Sequence, residues 1–263
     1  MNKVVQSEIK TEPLHWQTTG SGQNIVLVHG WGMNGAVWQQ TVDDLSQHYC
    51  VHVVDLPGFG HSHQTSFSNM SELANQVLQQ APKSAIWLGW SLGGLVATHI
   101  ALNFPERVTK LITVASSPKF SADRPWRGIQ PAVLSNFTEQ LVEDFQLTIE
   151  RFMALQAMGS PSARQDVKQL KKAVLSRPTP NPTSLLAGLN LLADIDYRAE
   201  LEQLTMPMLR LYGRLDGLVP VKVASDVDKL HPDSESFTFT ASSHAPFMTE
   251  FDGFCEKVRQ FTS

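Results

Sequence analysis

A serine held between two glycines is the feature of this sequence that most directly suggests chemistry. Residues 89–93 read Gly-Trp-Ser-Leu-Gly. They follow an apolar run at 84–88, typical of a buried strand, and precede a segment at 92–102 that is typical of a helix. A strand–turn–helix of this kind raises the central serine out of the edge of a sheet and exposes its hydroxyl. This position, more than the short pattern itself, predicts that Ser91 is a nucleophile.

A serine hydroxyl reacts only when a neighbouring base removes its proton and an acid orients that base. In parallel sheets such groups lie at the carboxyl ends of strands, in the chain order serine, acid, histidine. Asp216 follows the apolar segment 208–212, and His244 follows the segment 236–239. We therefore predict Asp216 as the acid and His244 as the base.

The other acids and histidines fit structural roles better. Asp55 ends a strand and could approach the site, but it precedes Ser91 and its loop is typical of a turn. Asp194 and Asp196 are interpreted as helix-terminal carboxylates. Ordinary surface or partly buried positions are expected for His15, His48, His52, His99 and His231.

The oxyanion of a tetrahedral intermediate needs backbone N–H donors, each worth about 3 kcal/mol. Leu92, which directly follows the nucleophile, is the first expected donor. The second is Trp31, in the loop after the strand 25–28, where glycines on both sides of Trp31 allow close approach. The sequence has no G-x-G-x-x-G motif after a strand and no cluster with metal-ligand spacing, so we expect no cofactor and no metal.

The order of elements predicts an α/β fold. Apolar runs typical of strands alternate with helical segments, which indicates a mostly parallel sheet with helices on both faces. The stretch 3–18 alternates loosely and ends at Gly20-Ser21-Gly22, a pattern typical of an antiparallel edge hairpin. The other predicted strands are 25–28, 51–54, 84–88, 111–115, 208–213 and 236–239.

Residues 119–190 interrupt this alternation. The stretch has no apolar strand, and prolines break its helical periodicity. Apolar residues recur there at three- and four-residue steps, which predicts one apolar stripe. The stripe consists of Leu134, Phe137, Leu141, Phe145, Ile149, Phe152 and Leu155. We expect a helical cap at 119–190, inserted between a first core part at 1–118 and a second at 191–263.

Length, charge and cysteine content limit the class of protein. With 263 residues, 42% of them apolar, the chain can form one large domain. A net charge of −4 gives no reason to expect nucleic-acid binding, and Cys50 and Cys255 form no disulfide framework. The sequence shows no N-terminal apolar signal and no run near the roughly 18 apolar residues of a membrane span. We expect a cytoplasmic monomer that binds neither membranes nor nucleic acid.

Charge is unevenly distributed along the chain. Residues 119–190 contain nine Lys or Arg and six Asp or Glu, a net charge of +3, whereas the rest of the chain carries −7. Four of these basic residues lie along one side of one predicted helix: Arg164, Lys168, Lys171 and Lys172. Two interpretations remain open, a solvated helix face and a surface that attracts an acidic partner.

These residues together resemble the α/β-hydrolase superfamily over the whole chain. The matching segments are 29–32, 55–60 and 89–94, together with Asp216 and His244. Further segments resemble the superfamily's esterases of biotin synthesis, which act on a pimeloyl methyl ester carried by an acyl-carrier protein. These segments are 87–97, 114–118, 151–152, 154–156, 163–166, 210–213 and 215–220.

The resemblance implies hydrolysis of that methyl ester with release of methanol. It implies a triad and an oxyanion hole formed by Ser91, Asp216, His244, Trp31 and Leu92. In the cap, the implied contacts with the acyl chain and the carrier protein are Phe152, Arg151, Arg164 and Lys168. Leu147 and Lys168 stand where these esterases have arginine, and lysine lacks the bidentate fork of a guanidinium group.

Other functions can use the same residues. A generalist short-chain carboxylesterase, a lipase-like enzyme or a C–C-bond hydrolase would need the same triad. A haloalkane dehalogenase is disfavoured, because its nucleophile would be an aspartate where Ser91 stands. A small-molecule receptor could keep the fold without turnover, although an intact triad with both oxyanion positions argues against it.

Overall fold

A computed structural model describes residues 12–263, and a seven-stranded sheet lies at its centre. The strands are β1 (Trp16–Thr19), β2 (Gln23–Val28), β3 (Tyr49–Val54), β4 (Ala85–Trp90), β5 (Val108–Val114), β6 (Met208–Gly213) and β7 (Glu235–Phe239). They lie in the order β1-β3-β2-β4-β5-β6-β7. The β1–β3 pair is antiparallel and the other five pairs of this sheet are parallel. The predicted α/β class with a mostly parallel sheet is confirmed.

Helices cover the sheet and link its parallel strands. They are α1 (Gln39–Leu45), α2 (Met70–Leu78), α3 (Leu92–Asn103), α4 (Pro131–Glu143), α5 (Phe145–Ala157), α6 (Ala163–Leu175), α7 (Pro182–Asp194), α8 (Lys222–Leu230), α9 (Pro246–Thr249) and α10 (Phe251–Thr262). Every residue of β4 and β6 is buried, so both faces of the sheet are covered at its centre. Within residues 12–263, none of the helices is long and apolar enough to cross a membrane.

The prediction of an N-terminal hairpin is wrong in its partner strand. β1 is an antiparallel edge strand, but it pairs with β3, with Trp16 opposite Val54, and not with the next strand along the chain. Gly20 and Gly22 adopt φ values of 85° and 108° in the connection to β2. That connection carries the chain past β3, so β1 and β2 lie on opposite sides of β3 in the sheet. The remainder of the predicted stretch, residues 3–11, lies outside the described residues.

Four helices, α4–α7, fall between β5 and β6 in the stretch for which we predicted a cap. The apolar stripe is divided between α4 and α5, because the Asp144 carboxylate accepts the Leu147 N–H at 3.0 Å and begins a new helix there. Helix α7 continues past residue 190 to Asp194. The helices pack in the pairs α4–α5, α5–α6 and α4–α7. The division at 118/119 and 190/191 stays a prediction.

Candidate active site

Ser91 occupies the tight turn between β4 and α3. Its backbone lies at φ 55° and ψ −119°, a region that non-glycine residues rarely adopt and that is typical of functional sites. Two hydrogen bonds hold this conformation. The Ser91 N–H donates to the Val114 carbonyl and the Ser116 hydroxyl donates to the Ser91 carbonyl, both at 2.9 Å. The serine is therefore fixed at the end of β4, as the sequence pattern predicts.

The glycines beside Ser91 are required by backbone contacts. A Cβ on Gly89 would lie 2.1 Å from the Gly93 carbonyl oxygen, and one on Gly93 would lie 2.3 Å from the Val28 carbonyl oxygen. Both distances are too short for any side chain. The spacing of the two glycines is thus a direct consequence of how closely α3 approaches the sheet.

His244 lies between Ser91 and Asp216, in the connection from β7 to α9. Its Nε2 is 2.9 Å from the Ser91 hydroxyl, and its Nδ1 is 2.7 Å from Asp216 Oδ2. Because the carboxylate can only accept, Nδ1 carries the proton and Nε2 is free to accept from the serine. All three residues are buried, with 2%, 0% and 6% of their surface exposed for Ser91, His244 and Asp216. The structure brings the predicted nucleophile, base and acid together.

Both oxygens of Asp216 are used. While Oδ2 faces His244, Oδ1 accepts the N–H groups of Leu218 and Val219 at 2.8 and 3.0 Å. These bonds hold the carboxylate in one rotamer. The acid can therefore fix the orientation of the imidazole, which is the task of the third member of a triad.

The loop that carries His244 is fastened to the sheet and to α5. The Trp90 indole donates to the His244 carbonyl at 2.7 Å, and the His244 N–H donates to the Gln156 carbonyl at 3.2 Å. The Ser243 hydroxyl donates to the Met158 carbonyl, just beyond α5, at 2.9 Å. The end of α5 thus helps to place the base.

Gln156 is a residue that sequence reasoning did not single out. It is 2% exposed, and its amide oxygen has no hydrogen-bond partner among the described residues. A buried amide oxygen is costly unless a ligand satisfies it. Gln156 follows Phe152 by one helical turn on the same side of α5, so it is a candidate for contact with substrate. The available signal was a polar residue one turn beyond a predicted acyl contact.

The two predicted oxyanion donors lie beside Ser91. Leu92 is the first residue of α3, so its N–H has no acceptor within the helix. In the part of the chain that the structure describes, the Trp31 N–H also donates to no acceptor. A Cβ on Gly30 would lie 3.2 Å from Ser91 Cβ, which shows how close this loop runs to the nucleophile. Their role as an oxyanion hole stays a prediction.

The Trp31 side chain faces the helices of the predicted cap. Its indole N–H donates to the Leu185 carbonyl on α7 at 2.8 Å, and its ring packs edge-on against Phe152 at 4.7 Å between centroids. A Cβ on Gly188 would lie 2.6 Å from the indole ring. Phe152, itself 2% exposed, therefore lies where α5, α7 and the loop beside Ser91 meet.

The predicted carrier contacts lie on the surface. Arg151, Arg164 and Lys168 are exposed, and Arg151 donates to the Gln140 side chain at 2.8 Å. Of the basic residues on α6, Lys171 pairs with Glu150 at 2.6 Å. Arg164 and Lys168 form no ion pair within residues 12–263. The structure thus separates these cations from the buried triad.

Asp196 and His99, which the sequence analysis set aside as structural, have structural partners. Asp196 binds Lys119 and Arg198, and the hydrogen bond from Arg198 is the main reason that its pKa is strongly lowered. His99 binds the Tyr197 hydroxyl at 2.7 Å, and burial lowers the pKa of His99. Burial also lowers the pKa of His29, to about 4, so this residue is neutral at pH 7.

In residues 12–263, no group of three or more His, Cys, Asp or Glu side chains is arranged to hold a metal ion.

A buried Ser–His–Asp chain at the strand ends of a mostly parallel sheet defines a serine hydrolase of the α/β-hydrolase type. A model of the alpha/beta hydrolase fold family matches residues 23–251, so this chain belongs to that family.

Curated relatives are similar over nearly the whole chain. One from Vibrio campbellii is 69% identical over 250 residues, which cover 95% of this chain and 98% of the relative. One from Vibrio cholerae is 66% identical, with 96% and 99% covered. One from Aliivibrio fischeri is 62% identical, with 95% and 98% covered. All three are named pimeloyl-[acyl-carrier protein] methyl ester esterase. The resemblance identified from the sequence is confirmed.

Solved structures support the fold. An esterase from Exiguobacterium antarcticum has a TM-score of 0.84 at 23% identity, with 95% of this chain and 96% of that chain covered. An enol-lactonase from Burkholderia xenovorans has a TM-score of 0.83 at 18% identity and the same coverage. At these identities the likeness establishes the fold and leaves the substrate to the curated relatives.

Proposed function

We propose that this chain is a serine carboxylesterase that hydrolyses the methyl ester of pimeloyl-[acyl-carrier protein]. The products are methanol and pimeloyl-[acyl-carrier protein], in biotin synthesis. The observation that carries the proposal is full-length identity of 62–69% to three relatives named for this activity. The buried Ser91–His244–Asp216 chain provides the chemistry that such an activity needs.

The hydrolysis proceeds in two halves. His244 Nε2 takes the proton of Ser91 as the hydroxyl oxygen attacks the ester carbonyl, and Asp216 stabilises the imidazolium that forms. The oxyanion accepts hydrogen bonds from the N–H groups of Trp31 and Leu92. Collapse of the tetrahedral intermediate breaks the bond to the methoxy group, which takes the proton from His244 and leaves as methanol. Water then attacks the acyl-enzyme with His244 as base, which frees the carboxylate and restores Ser91.

The exposed cations of α5 and α6 are the proposed docking surface for the carrier protein. The resemblance implies an acidic carrier protein, and Arg151, Arg164 and Lys168 have the complementary sign. Phe152 is proposed to line the passage by which the acyl chain reaches Ser91. Because its two cysteines form no disulfide framework, we place the enzyme in the reducing cytoplasm, and we propose that it acts as a monomer.

Substrate profiling tests this proposal against a generalist esterase or a C–C-bond hydrolase. The proposed function predicts a kcat/KM for the carrier-bound methyl ester well above that for short free esters, because contacts remote from the reacting bond contribute to the transition state. A flat profile would support the generalist. Labelling by a fluorophosphonate, with Ser91→Ala as the unlabelled control, distinguishes either enzyme from a receptor without turnover.

A further inference from the structure

Asp55 is fully buried and forms an ion pair that the reaction itself does not use. It follows β3 and is 0% exposed. Its Oδ1 accepts the Gly35 N–H at 2.7 Å and an Arg177 guanidinium N–H at 2.5 Å, while Oδ2 accepts the His61 N–H at 2.8 Å. Arg177 comes from the chain just beyond α6, and its side chain is 10% exposed. The pair therefore joins the end of α6 to the sheet.

The same carboxylate holds one end of the loop that carries Trp31. We call residues 29–35 the oxyanion loop. At its start, His29 Nε2 accepts the Leu56 N–H at 3.0 Å, and at its end Gly35 donates to Asp55. Asn34 donates to two carbonyl oxygens in the last turn of α6, at 3.3 and 3.4 Å. The loop is thus tied both to the chain after β3 and to α6.

Packing around the pair leaves little room for adjustment. A Cβ on Gly35 would lie 3.1 Å from both Asp55 Oδ1 and Arg177 Nη1, and 2.6 Å from Val53. Burial by itself raises the pKa of Asp55, but His29 and the hydrogen bonds from Arg177 and Gly35 outweigh burial and lower it. The carboxylate is therefore charged, and its oxygens stay available to the loop. Removing the guanidinium would leave a buried charge with backbone partners alone.

We propose that Arg177 is a positioning residue for the oxyanion hole: through Asp55 it holds Gly35, and with it the oxyanion loop, so that the Trp31 N–H meets the developing oxyanion. The inference rests on the proposed role of Trp31 in the esterase reaction. Positioning errors of about 1 Å can lower a rate by about 100-fold. Arg177 thus acts on the transition state from the far end of α6, without touching substrate.

The test compares Arg177→Met with Arg177→Lys and with the control Arg198→Met, which removes a different paired guanidinium far along the chain from the oxyanion loop. Each purified protein is assayed with p-nitrophenyl butyrate, which needs no carrier docking. Binding of a trifluoromethyl ketone, which forms a hemiketal oxyanion on Ser91, reports the oxyanion hole directly. Thermal unfolding records whether each variant is folded.

For Arg177→Met we expect kcat to fall about 10- to 100-fold with little change in KM, and affinity for the trifluoromethyl ketone to fall by a similar factor. Arg177→Lys should recover part of the kcat and part of the ketone affinity, since lysine restores the positive charge but lacks the bidentate guanidinium group. Arg198→Met should keep wild-type kcat. If Arg177→Met does not fold, the lysine variant decides by the same two readouts.

A folded Arg177→Met protein with wild-type kcat and ketone affinity would overturn the inference, as would a higher KM at unchanged kcat. Neither result would affect the proposed function, which is tested separately by substrate profiling of the wild type and by the loss of activity in Ser91→Ala. The two failures are therefore distinguishable in one set of assays.

Discussion

The sheet and the helices α4–α7 hold their functional residues in different ways. At the end of β4, a Cβ on Gly89 or Gly93 would lie 2.1 or 2.3 Å from a backbone oxygen, which forbids any other residue, and Ser91 is held at φ 55°. On α6, Arg164 and Lys168 project into solvent and form no ion pair with the described residues. Reaction type thus depends on backbone geometry that tolerates no change, whereas under the proposed function carrier docking depends on exposed side chains that substitution can alter gradually.

The largest effect is expected at the triad, where the backbone geometry is most restrictive. Ser91→Ala should lower kcat by about 10⁶-fold, because the nucleophile and its partners act as one unit. Alanine keeps the Cβ and both backbone hydrogen bonds of Ser91, so the melting temperature should match that of the wild type. Kinetics with p-nitrophenyl butyrate check the rate. Turnover within about tenfold of wild type would exclude Ser91 as the nucleophile.

Asp216→Asn should have the next largest effect. The asparagine oxygen can still accept from Leu218 and Val219, but its NH₂ group would face His244 Nδ1 and favour the wrong tautomer. We expect kcat to fall about 10⁴-fold. Reaction of Ser91 with a fluorophosphonate should slow in parallel. Unchanged labelling would mean that the acid is not needed to orient the base.

Where the two regions meet, Gly188→Ala should impair catalysis although alanine favours helices by about 1 kcal/mol. The added Cβ would lie 2.6 Å from the Trp31 indole and displace the loop beside Ser91. We expect kcat to fall about 10- to 100-fold. Gly253→Ala on α10 is the matched control, since its Cβ would meet only Phe239, at an ordinary 3.8 Å. Equal activity of the two variants would refute a functional contact between α7 and Trp31.

Charge reversal on α6 should have a smaller and selective effect. Arg164→Glu with Lys168→Glu should lower kcat/KM for the carrier-bound ester about tenfold at low salt. The difference in kcat/KM between the wild type and this variant should shrink as the salt concentration is raised. Hydrolysis of short free esters should be spared. Lys83→Glu with Lys222→Glu changes the net charge equally on exposed residues elsewhere. An equal loss on both substrates would argue against docking at α6.

A last prediction concerns the stability of the core at acid pH, where activity itself is not measured. Burial lowers the pKa of His29 from 6.5 to about 4. Between pH 4 and pH 6.5, His29 is therefore protonated in the unfolded chain and neutral in the folded protein. The contribution of neutral His29 is complete above pH 6.5 and is lost as pH falls towards 4, by about 3 kcal/mol in all. Denaturant unfolding of His29→Gln should show a shallower decline than the wild type. Identical pH slopes would contradict this assignment.

The sequence predicted the parts of the fold and site that depend on local rules. A serine between two glycines, placed after an apolar run, reflects a turn whose geometry excludes other residues. The positions of Asp216 and His244 after later strands follow from the chain order of such triads. The parallel sheet was readable because its central strands are buried on both faces and are therefore apolar throughout.

Features set by distant contacts were not readable. Asp55 was interpreted as part of a turn, because its partner Arg177 lies 122 residues further along the chain. Gln156 is polar within an apolar stripe, and its relation to His244 depends on how α5 packs on the sheet. Similarly, β1 pairs with β3 because of the path that the chain takes between β1 and β2, and a local hairpin pattern carries no information about that path.

Intact-mass spectrometry of methyl-pimeloyl carrier protein incubated with the enzyme is the decisive test of the proposed methyl ester hydrolysis. The carrier should lose the mass of one methylene group, as the methyl ester becomes a carboxylic acid, while the pimeloyl chain stays attached through its thioester. The Ser91→Ala variant should leave the carrier unchanged. A carrier that keeps its methyl ester with the wild type, or that loses the whole acyl chain, would contradict the proposed function.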